Sequence, residues 1–117
     1  MDHRLKSNKK IEYLFEKGQQ VFAYPVKVVW ASRSNENSVS GLQYGVSVSK
    51  RNFKKAVDRN RIKRQMREAL REVIVKESRL KMLDGLQVDI MFVYVGKELL
   101  EYKVIRSGIR KAINKIH

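Results

Sequence analysis

The chain has no cysteine, one proline and two histidines among 117 residues. Without cysteine there are no disulfides, no thiolate metal sites and no thiol nucleophile. The histidines, His3 and His117, stand at the two extremities. That placement argues against a histidine base, a serine–histidine pair or a histidine metal cluster. No apolar run approaches the roughly 18 residues of a membrane-spanning helix. The opening MDHRLKSNKK lacks the apolar segment of a signal peptide, so a cytoplasmic location is expected. Phosphate-binding glycine loops of the Walker or GxGxxG kind are missing. Acids are scarce, 12 against 26 Lys and Arg, and no two are spaced for acid–base work. A catalyst that acts alone, or a metal site built from protein only, is therefore not expected.

What is present is apolar enough to fold, at 43%, and unusually basic, with a net charge of +14. The length suits one domain, residues 1–117, with residues 1–7 as a basic tail. Such an excess of positive charge repels itself, which calls for a polyanionic partner. Nucleic acid and an anionic membrane surface are the candidates.

The charge is concentrated in Lys50–Arg71, which holds ten Lys or Arg against Asp58 and Glu68. Read as a helix from about Ala56 to Lys76, this stretch places Ile62, Met66, Ala69, Leu70 and Val73 on one face. Asn60, Lys63, Arg64, Arg67 and Arg71 fall on the flank opposite, and Arg61, Glu68 and Glu72 on the other. A solvated helix laced with i,i+4 pairs is the bland alternative. Glu68 and Glu72 can pair with Arg64 and Arg71, and the other cations are left over. Arginine exceeds lysine five to one between residues 59 and 71, which favours bidentate phosphate contacts. Asn60 adds a donor and an acceptor on that flank, with a capping role as its alternative.

The remaining elements follow from periodicity and turn chemistry. A short helix capped by Ser7 or Asn8 runs to about Lys17, with Gly18 after it. Residues 20–32 read as one long strand, with Phe22, Tyr24, Val26, Val28 and Trp30 alternating on one face, Trp30 expected in the core, and Pro25 forcing an edge or a bulge. A polar loop, 32–41, leads to a strand over 42–49 with one greasy and one small, polar face. Asp84–Gly85 marks a turn. Residues 86–95 are apolar on both faces beyond Asp89, so this strand is placed centrally. A helix over about 101–116 closes the chain, without a good N-cap and with Gly108 as an internal blemish costing about 1 kcal/mol.

The stretch GVSVSKRNFKKAVDRNRIKRQMREALR closely resembles the signature of the bacterial ribonuclease P protein family. Its core is Arg59, Asn60, Arg61, Ile62, Lys63 and Arg64, followed by Arg67 and Glu68. The resemblance implies an α+β two-layer sandwich in the order α-β-β-β-α-β-α, like the second domain of a small-subunit ribosomal protein. A mixed four-stranded sheet and a left-handed crossover around the basic helix belong to it, against the usual right-handed rule. It also implies a one-to-one complex with a catalytic RNA subunit that holds Mg²⁺, and removal of the 5′ leader of precursor tRNA. Arg59, Asn60, Arg61, Lys63, Arg64, Arg67 and Arg71 would face the RNA subunit. Ile11, Phe15, Lys27, Val29, Ser47, Lys50 and Arg51 would line a cleft for the leader. Ile11 and Val29 are aliphatic where the family usually has aromatics, so contact with sugars and base edges would replace stacking there. No membrane and no small-molecule substrate are expected. An rRNA-binding ribosomal protein is the alternative function.

Overall fold

A computed structural model of the chain describes residues 12, 15–32, 42–76 and 88–116. The expected tail 1–7, Ile11 and its helix neighbours Tyr13 and Leu14, most of the polar loop, the Asp84–Gly85 turn, Leu86 and Gln87, and both histidines lie outside the described residues. Glu12 and Phe15–Lys17 are helical, and the helix gives way at Gly18. Then come β1 (Gln19–Ala23), β2 (Val26–Ser32), β3 (Leu42–Val48), α1 (Ala56–Lys76), β4 (Val88–Tyr94) and α2 (Tyr102–Asn114). This is the α-β-β-β-α-β-α order. The sheet runs β1-β2-β4-β3. β1 pairs antiparallel with β2, β2 antiparallel with β4, and β3 parallel with β4. The sheet is therefore mixed, with β4 central as its two-sided apolar pattern requires.

The long strand expected over 20–32 is two strands. Proline supplies no N–H to a ladder, and the chain reverses at Tyr24–Pro25, whose peptide bond is cis. Ala23 pairs with Val26 and Gln19 with Trp30. The reversal also changes which side chains share a face. Val21 and Ala23 join Val26, Val28 and Trp30 on the core side. Phe22, expected to share the face of Val26 and Trp30, lies opposite Lys27 on the other face and is 54% exposed.

Both helices contribute to the same core. α1 inserts Ile62, Met66, Ala69, Leu70 and Val73, the stripe set by its spacing. α2 adds Ile105, Ile109, Ala112 and Ile113, with Ile116 just beyond its end. The sheet answers with Val48, Ile90, Phe92 and Tyr94 besides the hairpin residues. Rings organise part of it: Tyr44 meets Phe92 edge-on at 6.4 Å, and Phe53 meets Tyr94 at 5.8 Å. Each fully buried aliphatic side chain contributes about 1.5–3 kcal/mol.

α2 begins without a side-chain cap, as expected: Glu101 is extended and offers only its carbonyl to Val104 and Ile105. Gly108 is not a blemish. A Cβ there would stand 2.7 Å from Cδ of Pro25 and 2.8 Å from the carbonyl oxygen of Tyr24. The hairpin turn rests directly on the α2 backbone, and only glycine leaves room for it.

Candidate nucleic-acid interface

The basic helix starts from a tightly bonded turn. The Phe53 N–H donates to the Ser49 carbonyl at 3.2 Å, and the Arg59 N–H to the Lys55 carbonyl at 3.2 Å. Asp58 sits in the first turn, where a negative charge complements the helix dipole. Arg59 departs from the outward role expected of it. Its Nη1 donates to the carbonyls of Phe53 at 2.8 Å and Lys54 at 2.9 Å. One arm of this guanidinium is thus spent holding the turn that launches the helix.

Beyond Arg59 the cations are outward. Asn60, Arg61, Arg64, Arg67 and Arg71 are exposed and Lys63 is half-buried. Among the described residues no hydrogen bond or ion pair engages Arg61, Lys63, Arg64, Arg67 or Arg71. The expected pairing of Glu72 with Arg71 is not seen among the described residues. Glu72 instead accepts from Arg106 Nη1 at 3.1 Å and from the Tyr102 hydroxyl at 2.9 Å, both on α2. Burial, followed by the bond to Glu72, pushes the Tyr102 phenol above its ordinary pKa.

Arg67 and Arg71, one turn apart, line a groove of about 400 Å³ with Tyr44, Gly45 and Val46. Its other wall is β3, an edge strand. Tyr44, on the greasy face of β3, is half-buried, packing on the core and lining this groove as well. Two guanidinium groups beside an aromatic wall and an open strand edge are suited to phosphate and base together.

The sheet face away from the two helices carries the second group of residues. Register lays it out in rows: Phe22, Lys27, Val93 and Ser47 in one, and Gln20, Val29, Met91 and Gly45 in the next. Lys27 and Ser47, both expected in the cleft, therefore flank Val93 from its two sides. Lys50 and Arg51 are exposed just beyond β3, where the Arg51 N–H donates to Ser49 Oγ at 3.1 Å. Phe15 is 43% exposed, so it is not a core residue. Val29 has no accessible surface and packs with Met91. It forms part of the floor of the face, instead of a contact surface. Trp30, by contrast, sits in the core, as its parity requires. Among the described residues no cluster of three His, Asp or Glu is placed to hold a metal ion.

Two exposed rings were missed by sequence reasoning, Phe22 and Tyr24 at 54% and 56%. The signal that finds them is Pro25: an alternating pattern cannot keep its parity through a proline that turns the chain. Nearby, burial pushes the Tyr94 phenol up to about 12, with Tyr24 and Glu98 adding to the shift. The Tyr94 hydroxyl donates to the Glu98 carbonyl at 2.6 Å.

The chain matches the family model "Ribonuclease P" over residues 1–117. It is 33% identical over 115 residues to the ribonuclease P protein component of Porphyromonas gingivalis, covering 97% of this chain and 82% of that one. Its fold is similar to the RNase P protein of Thermotoga maritima, with a TM-score of 0.74 at 18% identity over 97% of both chains. It is also similar to the RNase P protein of Staphylococcus aureus, with a TM-score of 0.71 at 22% identity over 97% of this chain and 94% of that one. With the signature on α1, the mixed sheet and the match over its full length, the chain belongs to the ribonuclease P protein family.

Proposed function

We propose that this chain is the protein subunit of a ribonuclease P ribonucleoprotein, and that it binds a catalytic RNA subunit one-to-one and the single-stranded 5′ leader of precursor tRNA. The observation that carries this is the basic flank of α1. Arg61, Lys63, Arg64, Arg67 and Arg71 stand on a helix whose opposite stripe is fully buried, and none is engaged by another described residue. A rigid helix with unengaged cations pays little ordering entropy when it meets phosphates. Asn60 lies exposed near the start of the same helix and adds a directional contact. Arg59 supports the arrangement from within by fixing the turn before it.

The sheet face with Lys27, Ser47 and Val93, together with Phe15, Lys50 and Arg51, forms the surface for the leader. The chemistry is endonucleolytic hydrolysis that leaves a 5′ phosphate on the mature tRNA. Mg²⁺ is held by the RNA, and supplies charge stabilisation and an activated water when bound. The protein's share is affinity for the leader and neutralisation of crowded phosphates.

Reconstitution tests this. Adding the protein to a bacterial ribonuclease P RNA is expected to stimulate leader removal from precursor tRNA, most at low Mg²⁺. Log affinity for the RNA should fall with log salt at a slope of roughly −4, as five phosphate contacts dictate. No stimulation, or cleavage by the protein without RNA, would overturn the proposal.

A further inference from the structure

At the Tyr94 end of the sheet several elements finish together. The β1–β2 turn, the end of β4 and the end of β3 lie side by side, because Val26 and Val48 both pair with Tyr94 and Ala23 pairs with Val26. On the face away from the two helices, the row Phe22–Lys27–Val93–Ser47 is the last complete one. Val95 continues the same alternation past it, and its N–H donates to the Pro25 carbonyl at 2.8 Å. Here a hollow of about 490 Å³ opens, lined by Phe22, Tyr24, Val95, Lys97 and Glu98.

Folding does not explain the two rings. Each leaves more than half of its surface in water. Yet the backbone beneath them is tied down from three directions. Lys115 Nζ donates to the Phe22 carbonyl at 2.7 Å. Pro25 and the Tyr24 carbonyl abut Gly108. The Tyr94 hydroxyl holds the Glu98 carbonyl, and with it the loop that carries Lys97. Two aromatic faces and a cation on a fixed frame are what a single-stranded nucleic acid uses: rings for bases, positive charge for the backbone. The volume is within the usual range for small-ligand sites of about 300–1,000 Å³, so one nucleotide fits.

We infer that this hollow is a nucleotide subsite of single-stranded RNA: a base stacks on Phe22 and Tyr24, Lys97 meets a neighbouring phosphate, and the Glu98 carboxylate accepts from a base amino or imino group. The occupant is the precursor leader, because the hollow continues the Lys27–Ser47 row of the same face. In this respect the inference rests on the function proposed above. A partner protein would find a patch split by Lys97 and Glu98, and would not need the continuity with that row.

The test uses the holoenzyme reconstituted with a bacterial ribonuclease P RNA and precursors whose leader is lengthened one nucleotide at a time. Wild type is compared with the double variant Phe22→Ala, Tyr24→Ala, with Phe22→Leu, Tyr24→Leu and with Phe22→Trp, and thermal melts of each check the fold. With wild type, affinity should step up once the leader reaches the hollow. The alanine and leucine pairs should lose roughly tenfold at that length and beyond, with little change for shorter leaders. Phe22→Trp should keep the step, since a ring is what stacks. If the alanine pair follows wild type at every length while cleavage is intact, the subsite is wrong and the subunit reading stands. A uniform loss that includes leaderless tRNA, or a loss of RNA-subunit assembly, assigns the rings to another partner and also overturns the inference. If wild type gives no stimulation of the RNA, the subunit reading itself fails.

Discussion

α1 and α2 bury similar aliphatic stripes in one core, yet they use their cations in opposite ways. On α2, Arg106 bridges to Glu72 at 3.1 Å and lies 5.9 Å from the centre of the Tyr102 ring. Just past its end, Lys115 reaches the Phe22 carbonyl. On α1, Arg61, Lys63, Arg64, Arg67 and Arg71 are engaged by no other described residue. The helices also begin differently. A phenol, Tyr94, fixes the loop before α2, whereas a guanidinium, Arg59, fixes the turn before α1. Equal burial with unequal pairing shows that positive charge by itself does not mark a binding helix. What marks it is charge that the fold leaves unused on a support that cannot move.

If the shared core is what mounts both helices, truncating either stripe should cost about the same. Leu70→Ala on α1 and Ile109→Ala on α2 should each lose about 2–5 kcal/mol in urea unfolding. A much smaller loss on one helix would break the parity between them. The two starts should separate with pH. The Tyr94 phenol is raised from 10.0 to about 12 in the fold, so the folded state holds its proton more tightly than the unfolded chain. Its contribution is therefore whole below pH 10 and is lost as the pH rises through 12. The difference amounts to about 2–3 kcal/mol. Tyr94→Phe should lack that component of the alkaline decline. A variant that declines as wild type does would remove the distinction.

Gly108→Ala probes α2 alone. Helix propensity favours alanine by about 1 kcal/mol, but the Cβ meets a proline ring and a backbone carbonyl, neither of which is the loose end of a side chain. A net loss of about 1–2 kcal/mol is expected in thermal melts; a gain would mean that the hairpin turn shifts easily. The smallest effects test the pairing directly. Arg106→Ala should cost about 1 kcal/mol, because it removes one donor from the half-buried Glu72 carboxylate. Arg67→Ala should change stability by less than about 0.5 kcal/mol. It should instead flatten the salt dependence of RNA binding by about one unit. Were Arg67→Ala the more destabilising of the two, the contrast drawn between the helices would be reversed.

Much of the architecture was legible because it rests on local periodicity. The α1 stripe, the uncapped start of α2, the greasy side of β3 and the central place of β4 each follow from spacing within one element. The hairpin was legible only as a warning at Pro25. Once the chain turns there, the parity of every residue before it inverts, and Phe22 passes from the Val26 face to the other. The depth of Val29 was not legible for a related reason: alternation tells which face a residue is on, but not how deeply that face is covered. The fate of Glu72 and Arg59 depends on contacts across 34 residues in the first case and on a turn geometry in the second.

The order of residues by itself determined that a basic helix would stand on an oily stripe against strands, since helix and strand periods are properties of the backbone. Only the tertiary structure decided which cations stay unengaged and which rings stay in water. Those outcomes depend on which neighbour arrives within hydrogen-bond reach, and sequence distance does not set that.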